Sequence, residues 1–94
     1  MNDLASRGLS PQCSLCHQDF DLYYRTPRIV PKCGHSFCEK CITLRLVAKS
    51  NRKVFVCPEC QSEVVIRKGV SDDVPKNIGI IDIVKSLKKY GNDL

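Results

Sequence analysis

The chain has 94 residues, seven of them Cys, with no Trp, three Phe and a formal charge of +5. A domain of this size buries too little apolar surface to be stable on that alone, so cross-links of some kind are required. The odd Cys count argues against disulfides, as does Met1 to Gly8, which has neither the charged start nor the apolar centre of a targeting segment, and no apolar run reaches the roughly 20 residues that cross a bilayer. The expectation is therefore metal as the cross-link, a reducing cytoplasmic or nuclear setting, and no membrane association. Counting all seven cysteines as thiolates around two dications lowers +5 to about +2, which weakens the charge argument for nucleic acid.

Residues 1–11, with Ser6, Gly8, Ser10 and Pro11 and little apolar periodicity, are expected to be a flexible leader. From 12 to 67 every stretch lies between or beside pairs of potential ligands, which predicts one compact, loop-rich zinc domain. Arg28-Ile29-Val30-Pro31 and Ser36-Phe37 flank Cys33-Gly34-His35, predicting a short hairpin-like pair of strands that turns at Gly34. Cys38, Cys41, Ile42, Leu44, Leu46 and Ala48 recur at spacings of three and four, predicting a helix over 38–50 with Asn51 as its stop. Val54-Phe55-Val56 and Val64-Val65-Ile66 are short and rich in β-branched residues, and are expected to be extended. Residues 68–74 read as a polar linker. Asn77 is expected to cap an amphipathic helix within 75–91. Its apolar stripe is Ile80, Ile81, Val84, Leu87 and Tyr90; Lys85, Lys88 and Lys89 suit the C-terminal end of its dipole, and Gly91 ends it.

The potential ligands fall as Cys13-x2-Cys16, Cys33-x-His35, Cys38-x2-Cys41 and Cys57-x2-Cys60. Eight thiolate and imidazole donors make two sets of four, and closed sets of this kind mark structural zinc with no coordination position left for a substrate. Two Zn2+ would then replace the core as the main source of folding energy, at roughly 10–16 kcal/mol of apparent binding energy each. Spacing alone does not fix which pairs share an ion. His17, immediately after Cys16, is read as solvent-facing and not as a ligand.

Three Cys, one His and four Cys, in that order, resemble a RING-type zinc finger. The runs Cys33-Gly34-His35-Ser36-Phe37-Cys38-Glu39-Lys40-Cys41-Ile42 and Cys57-Pro58-Glu59-Cys60 are similar to those of family members, and the likeness covers about half of the chain. A PHD register places its histidine fifth, and a LIM register would need a cysteine at Leu44 and would strand Cys33. The resemblance implies a small zinc-stabilised α+β fold, the RING cross-brace, with short β-strands, a central helix and a C-terminal helix. It also implies interleaved metal sites: Cys13, Cys16, Cys38 and Cys41 on one zinc, Cys33, His35, Cys57 and Cys60 on the other.

Functionally, the resemblance implies an E3 ubiquitin transferase of the scaffold kind. Such a domain has no catalytic residue; it binds a ubiquitin-charged conjugating enzyme (E2) and orients its thioester for transfer to a protein substrate. The E2-binding positions carried over are Leu15, Leu44, Arg45, Pro58 and Gln61. Leu15 and Pro58 match the family's contacts. Arg45 and Gln61 depart from it, standing where a large apolar residue and an arginine are usual, and Gln lacks the charge and bidentate fork of Arg. Those departures keep a second function open, a non-catalytic RING acting as an assembly or dimerisation module.

Val74-Pro75-Lys76-Asn77-Ile78 and the helix after it are similar to the segment that lies C-terminal to the RING of tripartite-motif proteins. This leaves two fates for residues 75–91, a homodimer through the helix or packing back onto its own RING. The basic group Arg45, Lys49, Arg52 and Lys53 is read as a solvated helix end, since it lacks the aromatic interleaving of a single-strand nucleic-acid site. Nothing in the sequence identifies the substrate.

Overall fold

The computed structural model describes residues 10–92, with side chains described as far as Leu87. Most of the expected leader, and the side chains of Lys88, Lys89 and Tyr90, lie outside the described residues. Strand β1 (Pro27–Ile29) pairs antiparallel with β2 (Ser36–Cys38), bringing Arg28 opposite Phe37. The hairpin reverses at Gly34, whose φ of +78° is the left-handed conformation that glycine adopts without steric cost. Helix α1 (Glu39–Leu44) leaves β2 directly. Next in the chain is a three-stranded antiparallel sheet, β3 (Val47–Lys49), β4 (Arg52–Val56) and β5 (Glu63–Ile66), with β4 in the middle. Two helices close the chain, α2 (Val70–Asp73) and α3 (Ile78–Asn92).

The core is small and centred on two aromatic rings. Phe37 of β2 and Phe55 of β4 are both fully buried, with centroids 5.6 Å apart and planes tilted by 60°, so one contact joins the hairpin to the sheet. Ile42, Val30, Val74 and Pro27 are sealed with them, as are Cys13, Cys38 and Cys57.

The central helix is shorter than the sequence spacing predicts. It ends at Leu44, where the Arg45 amide bonds the carbonyls of Cys41 and Ile42, and residues 47–49 become an edge strand. The cause is Ser50-Asn51: with φ of +53° and +65°, both take the left-handed conformation of a tight two-residue hairpin turn, setting Lys49 opposite Arg52 and Val47 opposite Val54. The spacing of Leu44 and Ala48 buries neither of them.

Residues 68–74 are not a plain linker. Asp73 Oδ2 accepts from the amides of Arg67, Lys68 and Gly69 at 2.8, 2.7 and 3.1 Å, folding the chain into α2 with Val70 and Val74 buried. Pro75 to Asn77 then runs along the free edge of β1, with Ile29 N–H donating to Pro75 O and Asn77 N–H to Pro27 O, both at 2.9 Å. Asn77 caps α3 by accepting from Ile80 N–H at 3.1 Å, and its side-chain amide donates to Ser36 Oγ at 2.8 Å. The helix buries Ile81 and Val84 and half-buries Ile80 and Leu87, with Val84 a member of the same buried cluster as Phe37 and Phe55. Its stripe therefore packs back onto the domain, leaving Ile78 and Ile83 exposed. The helix reaches Asn92, one residue past Gly91. Among the described residues no helix is long and apolar enough to cross a membrane.

Candidate metal centre

Two of the three C-x2-C pairs are built by the same backbone device. Cys13 N–H donates to Gln18 O at 2.9 Å and His17 N–H to Cys13 O at 2.8 Å; Cys57 N–H donates to Ser62 O and Gln61 N–H to Cys57 O, both at 2.8 Å. The residue after the second cysteine is left-handed in each, His17 at φ +59° and Gln61 at +67°, which turns both sulfurs of the pair to one side. Cys38 and Cys41 instead occupy the first turn of α1. Cys38 is its N-cap, its Sγ accepting from Cys41 N–H at 3.4 Å, while Cys13 Sγ accepts from Cys38 N–H at 3.4 Å. Cys33 and His35 flank the glycine of the β1–β2 turn.

These elements gather the ligands into two tetrads, Cys13, Cys16, Cys38 and Cys41 in one, and Cys33, His35, Cys57 and Cys60 in the other. Within each, the donor atoms all lie within 4.8 Å of one another. A tetrahedron with Zn–S near 2.3 Å and Zn–N near 2.0 Å has S···S and S···N edges of roughly 3.8 and 3.5 Å. Cys16 Sγ and Cys38 Sγ are 3.9 Å apart, and Cys57 Sγ and His35 Nδ1 3.4 Å, so the donors have the spacing and chemistry of zinc sites. His35 turns Nδ1 into its tetrad and Nε2 to within 3.5 Å of Glu59 Oε2, the carboxylate partner that orients a metal-bound imidazole. His17 is exposed and belongs to neither tetrad.

Electrostatics favour a dication at both places. Burial pushes up the thiols of Cys38, Cys41 and Cys57, and in Cys41 the neighbouring Cys38, Cys16 and Cys13 add to it. Cys60 goes the other way, to about 6, chiefly through its hydrogen bond with the Ser62 side chain. At Cys16 burial opposes ionisation, but bonds from Gln18, Cys41, Arg25 and Cys38 prevail and bring it to about 7. Sulfurs packed this tightly are all ionised only when a cation offsets their mutual repulsion.

Residues 13–58 match the family model described as RING-type zinc-finger. This segment is a RING-type zinc finger. A RING binds two zinc ions, and the two tetrads provide for both; the metal is structural, since each site already has four protein donors. The chain is similar to the protein named E3 ubiquitin-protein ligase RNF183, at 29% identity to the human protein, covering 90% of this chain and 44% of that one. The bovine protein of that name is 26% identical over 84% of this chain and 42% of its own length. Mouse tripartite motif-containing protein 12A is 36% identical, but over 62% of this chain and 19% of its own length. The chain thus spans less than half the length of these relatives. No solved structure matches it.

The residues carried over for E2 contact differ in their exposure. Leu15, in the first knuckle, is half-buried against the core, whereas Pro58 and Gln61 of the matching second knuckle are exposed. Leu44 is 73% exposed at the end of α1, with Arg45 exposed beside it. Leu44 also lines a cleft of about 280 Å³ with Tyr23 and Tyr24, which are 73% and 75% exposed. Sequence reasoning missed these tyrosines, although adjacent aromatics in a polar loop are a readable signal for a contact surface. Asp21 presents them: its Oδ1 accepts from the amides of Tyr23, Tyr24 and Arg25 at 2.8, 2.9 and 2.7 Å, and those bonds outweigh burial to hold its carboxyl below the usual range.

Proposed function

We propose that this RING is an E3 ubiquitin ligase module that binds a ubiquitin-charged E2 and promotes transfer to a protein substrate without a covalent intermediate of its own. The observation that carries the reading is the full commitment of the cysteines: all seven belong to the two tetrads, so the chain has no thiol with which to accept ubiquitin. What remains is catalysis by orientation. Cys13, Cys16, Cys38 and Cys41 hold one ion and Cys33, His35, Cys57 and Cys60 the other, fixing the two knuckles and α1 relative to one another. Leu15, Leu44 and Pro58 supply apolar contact to the E2, while Arg45 and Gln61 contribute polar contacts at its edge. The similarity to proteins named E3 ubiquitin-protein ligases supports the same activity.

A second reading, a non-catalytic assembly module, is favoured by Gln61 and Arg45, which provide neither the cation nor the large apolar surface that the family uses at those places. Dimerisation through residues 75–91 would have to use Ile78 and Ile83, the apolar residues that α3 leaves exposed among the described side chains.

Discharge of ubiquitin from a charged E2 to free lysine separates the two. Wild type is expected to accelerate discharge, Leu15→Ala to lose about tenfold or more of the acceleration as a central apolar contact is truncated, and Gln61→Arg to raise it. No acceleration by the folded, zinc-loaded chain or by Gln61→Arg, across a panel of E2 enzymes, would leave the assembly reading.

A further inference from the structure

A groove of about 650 Å³ lies between α1, the β3–β4 turn and the segment leading into α2. None of the E2-contact residues lines it. Arg52 and Lys53 face it from β4, Arg67 and Lys68 from the turn after β5, and all four are exposed. Its lining also holds the half-buried side chains of Leu46 and Val65. Two of the acidic groups at hand are already engaged. Glu39 lines the groove but is bound by Arg28, with Nε and Nη2 at 2.8 and 2.7 Å from Oε1. Asp73, beside Arg67 and Lys68, uses Oδ2 on three backbone amides. The same bonds fix the backbone of the Arg67-Lys68 turn, so less of the chain is left to order on binding.

We propose that this groove docks an acidic segment of a partner protein, its carboxylates meeting the four cations and its apolar side chains covering Leu46 and Val65. Charge complementarity argues for an anion, and the chemistry of the groove argues for a polypeptide. Among the described residues no aromatic side chain lines it to stack a base, and its apolar portion has no counterpart in a phosphate backbone. The inference does not rest on the ligase reading, because it concerns a separate face and its test is binding.

The test uses the zinc-loaded full chain and a labelled peptide of alternating Glu and Leu, followed by fluorescence anisotropy. Its comparators are the same peptide with Gln for Glu and a single-stranded oligonucleotide of equal charge. The Glu peptide is expected to bind, to weaken as salt rises, and to bind best of the three. Arg52→Glu with Lys68→Glu is expected to weaken it by about tenfold or more, and the milder Arg52→Gln with Lys68→Gln by less, both retaining two zinc ions. Tighter binding of the oligonucleotide, equal binding of the Gln peptide, or Glu-peptide affinity unchanged in either zinc-loaded variant would overturn the proposal.

Discussion

Arg28 carries its charge into a site only 4% exposed, where acceptors from other elements meet it. Glu39 of α1 takes Nε and Nη2, and the carbonyls of Ser71 and Val74 take Nη1 at 3.1 and 2.7 Å. One side chain thus ties the hairpin to the central helix and to the segment before α3. Removing a buried partner of this kind leaves several groups unsatisfied, so Arg28→Met should cost about 2–4 kcal/mol. Glu39→Gln should cost less, because that side chain is 30% exposed and water screens it. Amide exchange is the discriminating measurement: it should rise at residues 70–77 in Arg28→Met while two zinc ions stay bound. Unchanged protection there would mean that α2 and the Pro75–Asn77 edge are held by packing alone. Arg28 was not legible as a tie, since its side-chain partners lie 11, 43 and 46 positions away.

The elements differ in how clearly the sequence announces them. Asn77 was readable as a cap because capping is a local bond between a side chain and an amide three residues on. The end of α1 was not, because Leu44, Leu46 and Ala48 continue a helical spacing that tertiary structure does not use. Strand β3 gives no alternation to set against it, all three of its residues being exposed. The useful signal was Ser50-Asn51 itself, just before Val54-Phe55-Val56, a pair able to take two successive positive φ values. If that turn fixes the register of β3 on β4, Asn51→Gly should leave stability equal or raise it. Asn51→Val should lower it by about 1–2 kcal/mol, since a β-branched residue is poorly suited to φ of +65°. Chemical denaturation of the two zinc-loaded variants measures the difference. Equal midpoints would show that this turn is not held in the left-handed conformation. The segment 70–74 was hidden for another reason: its buried pair, Val70 and Val74, sits in an otherwise polar run that reads as a linker.

Over the whole molecule, the metal sites were legible because ligand chemistry and pair spacing are local, whereas the sharing of pairs between ions is a property of the fold. Tetrad one takes residues on either side of the span that supplies Cys33 and His35, and tetrad two reaches past α1 to Cys57 and Cys60. His35 and Cys38 belong to different tetrads and are separated by Ser36 and Phe37. Phe37 is sealed against Phe55, two residues before Cys57. Strand β2 is therefore held at one end by each ion, and the ring contact makes the register of β2 depend on the position of Cys57. Cys57→Ser should then do more than empty its own site. Once β4 is no longer anchored at the second knuckle, Phe55 loses its fixed distance from Phe37, and Cys38 and Cys41 lose the support that holds them opposite Cys13 and Cys16. A site that supplies roughly 10–16 kcal/mol when formed has no counterpart in a core this small, which leaves little to keep the remaining tetrad assembled. Native mass spectrometry of Cys57→Ser should show the two-zinc species replaced mainly by metal-free, expanded chain, with little one-zinc intermediate. A compact one-zinc form with residues 13–16 and 38–41 still protected from exchange would mean that the tetrads fold independently, and that the Phe37–Phe55 contact carries no load between them.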